Sequence, residues 1–527
     1  MNTRLSKSTG FLLLIGLLLL AVMPLAAQEE VYFPTTEWRT STPEEQGMDS
    51  AELADFFQTY SQPEFNLDSL MVIRNGHIVA EAYAPPFRPE MKHHLYSASK
   101  SVTGALIGIL LQDGTLKSLD TPVLDLFPDR KVQHLDANKK AMTVRHLLTM
   151  SAGWDCDYHA PGGDLQDIAM MTSEDWLQFA LDMPMGSKPG TEFHYCNPVS
   201  YVLSAIVTEL TGKSALDFAA ERLFAPLGIT DYAWSSSPQG ISYGFSDLQL
   251  TTRDMAKFGY LYLNGGRWDR MQVVPSDFVA EATSAVIPTP WPSTSYGYQW
   301  WTNDDLSTAI AVGWGGQYIQ INPAQNSVAV LTGGYTDNIR IATHVFPFMY
   351  MLGGLTVSED ALPDNPDALR RLEDVITAIE RPEAVTVKPV PEVGLQVNNQ
   401  GYALLKPFML RAFGSAEIVE AINVTGVRFD FSNADQAALT FTLEDGQAWA
   451  APIGMNGVYQ VTDGPYGPLG IRGEWLNDDT FCLLVKLVGD APVMRLEAMF
   501  LPGAVNIVGS EYVSGAAFTA QGVAMPE

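Results

Sequence analysis

The chain has 527 residues, 60 acidic against 31 basic, and a formal net charge of −29. So acidic a surface repels nucleic acid and anionic lipid, which removes both as expected partners, and it favours solubility outside the cell. The length exceeds one usual domain, so two are expected.

The first residues read as a secretion signal. Arg4 and Lys7 form a basic n-region, Phe11 through Val22 an apolar core, and Leu25-Ala26-Ala27 a cleavage site before Gln28. The apolar core is short for a spanning helix, and no cysteine follows it to carry a lipid. No other stretch is apolar enough to cross a membrane, so no stable span is expected after cleavage. Loss of Arg4 and Lys7 from the 31 basic residues leaves 29 against 60 acidic, a net charge of −31. The expected location is secreted or periplasmic.

Leu70 to Arg74 and His77 to Glu81 flank Asn75-Gly76, the turn pair with positive φ that hairpins prefer. Ser97-Ala98-Ser99-Lys100 then opens an apolar helical run, Val102 through Leu111. A largely helical stretch follows to about Tyr262, with Trp176, Leu177, Ala180 and Leu181 at helical spacing, and a helix over about Pro198 to Thr211. Ala309 to Val312, Tyr318 to Ile321 and Val328 to Leu331 read as strands. Strands at both ends with helices between them predict an α+β fold. Pro366 to Arg381 reads as a last helix, with Asn365 as N-cap and Leu369, Leu372, Ile376 and Ile379 on one face. Beyond it, residues 381–393 form a proline-spaced linker.

From residue 394 apolar residues alternate in short runs: Val427, Phe429 and Phe431; Leu439, Phe441 and Leu443; Trp449, Ala451 and Ile453; Ile471, Gly473 and Trp475; Phe481, Leu483 and Val485; Met494, Leu496 and Ala498. Separated by turns such as Asp445-Gly446, they predict an all-β barrel or sandwich with no catalytic constellation of its own.

The chemistry is carried by three short motifs. Ser97 and Lys100 lie one turn apart on a helix face. A serine hydroxyl is a poor nucleophile unless a neighbouring base assists it. A lysine desolvated against an apolar helix can be that base, or can hold a tyrosine phenolate that is. The tetrad alone is weak, since a chain of this length holds about one by chance, and Ser97 also suits a plain N-cap. Tyr195-Cys196-Asn197 follows Pro189-Gly190 and Phe193 at a helix entrance. A second Tyr-x-Asn, Tyr262-Leu263-Asn264, closes an amphipathic run before Gly265-Gly266 and reads as core plus helix end. Trp314-Gly315-Gly316 completes the set. The competing elbow Gly240-Ile241-Ser242-Tyr243-Gly244 lacks the apolar strand before it and the helix after it that such a nucleophile needs.

Tyr96 through Ser101, Val144 through Gly153, Pro189-Gly190 through Asn197, Pro226 through Ile229, Leu250 through Ala256 and Gly313 through Pro323 together resemble the serine beta-lactamase and penicillin-binding superfamily. The likeness is to its class C-like branch, which includes family VIII carboxylesterases and D-aminopeptidases, and it covers roughly residues 36 to 355. It implies an antiparallel sheet flanked by helices with a helical subdomain over residues 28–380, and a lipocalin-like barrel over 394–527. It also implies Ser97 as nucleophile, Lys100 and Tyr195 as shared base, and Asn197 orienting the lysine or the substrate carbonyl. The backbone N–H groups of Ser97 and Gln317 would be the oxyanion hole. Gly315 and Gly316 would line the substrate with Trp314.

One position departs from the lactamase pattern. Relatives that act on penicillins or D-Ala-D-Ala peptides place Lys or His where this chain has Trp314, which offers one indole donor and no charge. A small-molecule ester or amide is therefore the expected substrate, with a beta-lactamase or D-Ala-directed peptidase as the alternative. A non-turnover acyl-binding sensor and a scaffold without catalysis stay open as other classes, though the intact Ser97, Lys100, Tyr195 and Asn197 argue against the scaffold. Cys156 and Cys196 flank motifs that meet at the cleft in this superfamily, which implies a disulfide between them and leaves Cys482 in a strand core. Asp155, Asp157, His159 and Asp164 read as a polar loop rim, and no Cys-x-x-Cys pair exists, so neither metal nor cofactor is expected.

Overall fold

The computed structural model describes residues 31–159, 164–335, 345–409, 423–464, 467–512 and 516–526. The secretion signal expected over residues 1–27 lies outside the described residues.

Nine strands build the larger sheet: β1 (Arg39–Thr40), β2 (Leu67–Arg74), β3 (His77–Tyr83), β4 (Ile287–Pro288), β5 (Thr294–Tyr296), β6 (Trp301–Asn303), β7 (Thr308–Gly313), β8 (Gln317–Asn322) and β9 (Ser327–Gly333). Their order is β1-β3-β2-β9-β8-β7-β6-β5-β4, antiparallel except for β1 beside β3. The β2–β3 hairpin turns on Asn75 (φ 50°) and Gly76 (φ 77°), both left-handed, which suits the twist of the strands. Pairing of β9 with β2, Val328 opposite Ile73, joins the two ends of this region in one sheet.

Six longer helices matter for the site: α1 (Ser50–Tyr60), α2 (Ser99–Gln112), α3 (Asp164–Met171), α4 (Asn197–Thr211), α5 (Thr252–Leu263) and α6 (Pro366–Glu380). Strand alternation sends neighbouring residues to opposite faces. Ile319 and Val328 lie against Gly259 of α5, where a Cβ would come within 2.8 and 2.7 Å of them. Tyr318 points the other way, its ring 5.2 Å from Phe348, which also packs on Phe56 and Tyr60 of α1. Helices thus cover both faces of the sheet, as α+β packing requires. Helix α2 is buried from Ser99 to Leu110, apolar from Ala105 to Leu110 and with polar side chains confined to its first turns, so it runs through the core. Asn365 caps α6 by accepting the Ala368 N–H at 3.2 Å, and the helix stops at Glu380.

After residues 381–391 and a short helix, Glu392–Gln396, ten further strands follow. They are β10 (Gly401–Met409), β11 (Asn423–Asp430), β12 (Gln436–Leu443), β13 (Ala448–Gly454), β14 (Gln460–Gly464), β15 (Gly467–Trp475), β16 (Thr480–Leu487), β17 (Val493–Leu501), β18 (Ala504–Glu511) and β19 (Ala517–Ala524). Their order runs β13-β12-β11-β10-β19-β18-β17-β16-β15-β14, and a further pairing of β13 with β15 closes nine of them into a barrel. A sandwich is thereby excluded. Phe429, Phe431, Trp475, Phe481 and Phe500 stack together inside it, so this barrel has a packed core.

The barrel and the helix-covered sheet have separate hydrophobic cores, yet residues 33–527 form one compact unit. Lys486 of β16 pairs with Asp68 of β2, and His93 Nε2 lies 3.1 Å from the same carboxylate, all three side chains being buried. Removing one member of such a set leaves the others uncompensated in a low-dielectric interior. Among the described residues, no helix is long and apolar enough to cross a membrane.

Candidate active site

The short strand Lys92–His94 leads into Tyr96, a non-glycine residue at φ 47°, and then into a 3-10 turn over Tyr96–Ala98. Ser97 therefore stands in that turn, with Ala98 as the N-cap of α2. Three hydroxyls fix the start of the helix. Ser101 Oγ donates to the Gln299 carbonyl at 2.6 Å, Thr103 Oγ1 to that of Gly244 at 2.7 Å, and Ser99 Oγ accepts the Leu248 N–H at 3.2 Å. Buried hydroxyls so satisfied hold a helix in one position.

Lys100 is 1% exposed. Its Nζ lies 2.8 Å from Ser97 Oγ, 2.8 Å from the Phe245 carbonyl and 4.8 Å from the centre of the Tyr195 ring. Burial disfavours the ammonium and brings the Lys100 pKa down to about 7, against the pull of the Asp167 carboxylate, which favours the charge. Burial also pushes the Tyr195 phenol well above its ordinary value, with a hydrogen bond to Ser97 acting in the opposite direction. Near neutral pH Lys100 thus holds a substantial fraction of neutral amine beside a neutral Tyr195 phenol. An amine that is partly neutral, within hydrogen-bond reach of a serine hydroxyl, can take its proton.

Tyr195 precedes α4 and sits in an aromatic wall. Its ring stacks on Trp301 at 5.5 Å, with Phe193 and His159 also against it. The backbone holds it too, since its carbonyl accepts the Tyr158 N–H at 2.7 Å. Asn197, at the start of α4, donates through Nδ2 to Asp167 of α3, and its buried Oδ1 has no partner among the described residues. Of the two roles expected of Asn197, orienting the lysine or the substrate carbonyl, the first runs through Asp167, to which its Nδ2 donates and whose charge acts on Lys100.

Trp314-Gly315-Gly316 forms the turn from β7 to β8, with Gly315 at φ 78° and Gly316 at φ 99°. Gln317 opens β8 opposite Gly313. Its side chain spans the turn, donating to the carbonyls of Gly333 at 2.8 Å and Trp314 at 3.0 Å and accepting the Gly333 N–H at 3.2 Å. A glutamine so engaged offers chemistry only its backbone. Trp314 is half-buried against Tyr96, ring centres 5.2 Å apart.

The two decoys fall away from this cluster. Ser242 is buried, its Oγ accepting the Leu216 N–H at 3.1 Å, with no helix following it. Tyr262 is buried in α5 with its ring 4.8 Å from Trp300. Two groups near Lys100 carry no sequence signal: the Phe245 carbonyl, which any residue supplies, and Asp167, one of many acidic residues.

Cys156 and Cys196 are joined, Cα atoms 5.6 Å apart, and Cys482 is buried and free. The bridge ties the loop after Gly153 to the residue beside Tyr195. It spans 40 positions, for which loop-closure entropy gives about 4 kcal/mol as an upper guide. Peptide mapping of unreduced protein should find Cys156 linked to Cys196 and only Cys482 alkylated after unfolding. Alkylation of all three without reductant would contradict the bridge.

Comparison with known proteins places these features in a family. The beta-lactamase family profile matches residues 53–333. The chain belongs to that family and is a hydrolase of the beta-lactamase superfamily. It is 26% identical over 292 residues to the 6-aminohexanoate-dimer hydrolase of Paenarthrobacter ureafaciens, covering 51% of this chain and 73% of that one. It is 27% identical over 175 residues to esterase EstB of Burkholderia gladioli, covering 31% of this chain and 44% of the relative. A solved structure of a putative 6-aminohexanoate-dimer hydrolase from Bacillus anthracis aligns over 67% of this chain and 91% of its own, with 20% identity and a TM-score of 0.47.

Proposed function

We propose that the chain is a secreted or periplasmic serine hydrolase that forms an acyl-enzyme on Ser97 and acts on neutral esters or small amides. The observation that carries this reading is the buried Lys100 amine, 2.8 Å from Ser97 Oγ with its pKa brought to about 7. Lys100 takes the Ser97 proton as the oxygen attacks the acyl carbon. The backbone N–H groups of Ser97 and Gln317 receive the developing oxyanion, a role in which one donor contributes about 3 kcal/mol. Tyr195, a neutral phenol beside both groups, passes a proton to the departing alcohol or amine. Water then releases the acyl group by the reverse sequence. Relatives named as an esterase and as a 6-aminohexanoate-dimer hydrolase agree with this class of reaction. The acidic surface, the signal-like first residues and the disulfide agree with an oxidising compartment.

Trp314 sets the expected specificity. A penicillin carboxylate entering here meets indole in place of a cation, and an uncompensated polar group of that kind costs at least about 1–3 kcal/mol. A neutral ester loses nothing and gains apolar contact with the ring. Catalytic efficiency on a short-chain p-nitrophenyl ester should exceed that on nitrocefin by roughly tenfold or more, since about 1.4 kcal/mol is tenfold. Trp314→Lys should narrow the gap. Nitrocefin turnover equal to that of the esters in the unaltered protein would replace this reading with a lactamase. Turnover beyond one equivalent separates a hydrolase from an acyl-binding sensor.

A further inference from the structure

The connection from β16 to β17, residues 488–492 of the barrel, leaves the barrel and enters the region around Ser97. Gly489 accepts the backbone N–H of His94 at 2.9 Å, two residues from Tyr96. The Gly489 α-carbon sits so close to Lys92 that a Cβ there would be 2.4 Å from the Lys92 carbonyl. Asp490 Oδ1 accepts the Tyr96 hydroxyl and, at 2.9 Å, the Ala491 N–H. Ala491 is fully buried beneath Trp314 and Tyr96. A Cβ on Gly315 would stand 2.3 Å from that of Ala491, and one on Gly334 would stand 2.0 Å from the Ala491 carbonyl. The catalytic turn has been kept bare where the barrel presses on it.

We propose that this barrel loop is a working part of the active site, in which Asp490 is a positioning residue. The geometry has a single consequence for chemistry. One face of the loop fixes Tyr96, the residue immediately before Ser97, and the other backs Gly315, two residues before Gln317. The two backbone N–H groups assigned to the oxyanion lie on these two segments. They belong to different elements, the turn before α2 and the start of β8, which meet directly where Tyr96 packs on Trp314 and where a Cβ on Gly313 would stand 2.1 Å from the Leu95 carbonyl. Asp490-Ala491 packs on this junction from the barrel side and touches both segments, so it braces the separation that they set between them. Tyr96 at φ 47° is held in a conformation that few non-glycine residues adopt without outside support, and the Asp490 hydrogen bond at the tip of its side chain supplies it. The buried Lys486–Asp68–His93 set, four residues along the chain from Asp490, anchors the base of the loop to the strand before Tyr96. The inference rests on the acyl-enzyme reading for what the two N–H groups do, but the bracing itself is independent of it.

The test compares full-length wild type, Asp490→Ala and Asp490→Asn. Asparagine keeps an oxygen that can accept from Tyr96 and Ala491, whereas alanine does not. On a p-nitrophenyl ester, Asp490→Ala should lower kcat by tenfold or more while KM stays within threefold, because an oxyanion donor acts in the transition state. Affinity for a boronate inhibitor should fall by the same factor as kcat. Asp490→Asn should stay within threefold of wild type in both. Amide exchange should accelerate in Asp490→Ala over residues 95–98 and 313–317, with barrel strands β17 and β18 unchanged. A kcat for Asp490→Ala within twofold of wild type, or unchanged exchange in those two segments, overturns the proposal. Should a fluorophosphonate fail to label Ser97 in wild type, the acyl-enzyme reading fails, and the exchange data alone still decide whether the loop braces the two segments.

Discussion

Ser97→Ala should abolish hydrolysis of every acyl substrate and fluorophosphonate labelling together. The substitution removes one oxygen from a turn whose backbone is held by its neighbours, so the fold, the lysine and the oxyanion donors remain. Among the described residues, Lys100 Nζ hydrogen-bonds to Ser97 Oγ and to the Phe245 carbonyl, and the carbonyl is no nucleophile. Loss of a nucleophile from such a unit costs about four or more orders of magnitude, and what remains comes from binding and oxyanion stabilisation. Melting temperature and circular dichroism check that the variant is folded. Labelling that persists in the variant, or that maps to Ser242, sinks the assignment.

Lys100→Ala and Tyr195→Phe should each lower turnover by roughly two or more orders of magnitude, the usual scale for loss of a general base or general acid. Tyr262→Phe should stay near wild type, because that ring belongs to the core of α5. The pH profile adds a signed expectation. Lys100 acts as the neutral amine, so kcat/KM should fall on the acid side with an apparent pKa near 7, where its ammonium forms. The Asp167 carboxylate favours that ammonium. Asp167→Asn removes the negative charge, lowers the lysine pKa further and should move the acid limb to lower pH. Movement of the limb to higher pH, or an acid limb absent from wild type down to pH 5, would contradict Lys100 as the base.

Much of this site is legible in the sequence because its chemistry needs particular side chains at fixed spacing. Ser97 and Lys100 stand three positions apart, and the 3-10 turn that runs into α2 keeps the one-turn spacing that brings them together. Tyr195 required context: two Tyr-x-Asn motifs exist, and only the one at a helix entrance faces the lysine. Asn75-Gly76 marked the hairpin because few pairs adopt positive φ at both positions. Strands β11, β12, β13, β15, β16 and β17 announced themselves by alternation. Four others did not. The pairing of β10 with β11 skips between Ala403 and Phe408, which breaks its period, and β14 is short and polar. Strand β18 alternates at Val505 and Ile507 but then places Gly509 inward, the space above it filled by Phe518, and β19 places Ala520 and Gly522 inward. Asp167 and Asp490 were illegible for a different reason. Each acts across a long sequence gap through a contact that only the folded chain creates, and a lone aspartate among 60 acidic residues carries no local signature. The helix-covered sheet and the barrel each have a core, and the buried Lys486–Asp68–His93 set and the loop at Ala491 join them in one compact unit.

On this mechanism Ser97 carries a covalent acyl group that turns over. The most direct measurement mixes excess p-nitrophenyl ester with the protein, quenches in acid over milliseconds to minutes, and follows intact mass and the peptide carrying Ser97. The account predicts a stoichiometric burst of p-nitrophenol and one acyl adduct on Ser97, whose level falls as substrate is exhausted while product exceeds one equivalent. Turnover with no adduct at Ser97 in wild type and undiminished rate in Ser97→Ala would contradict it.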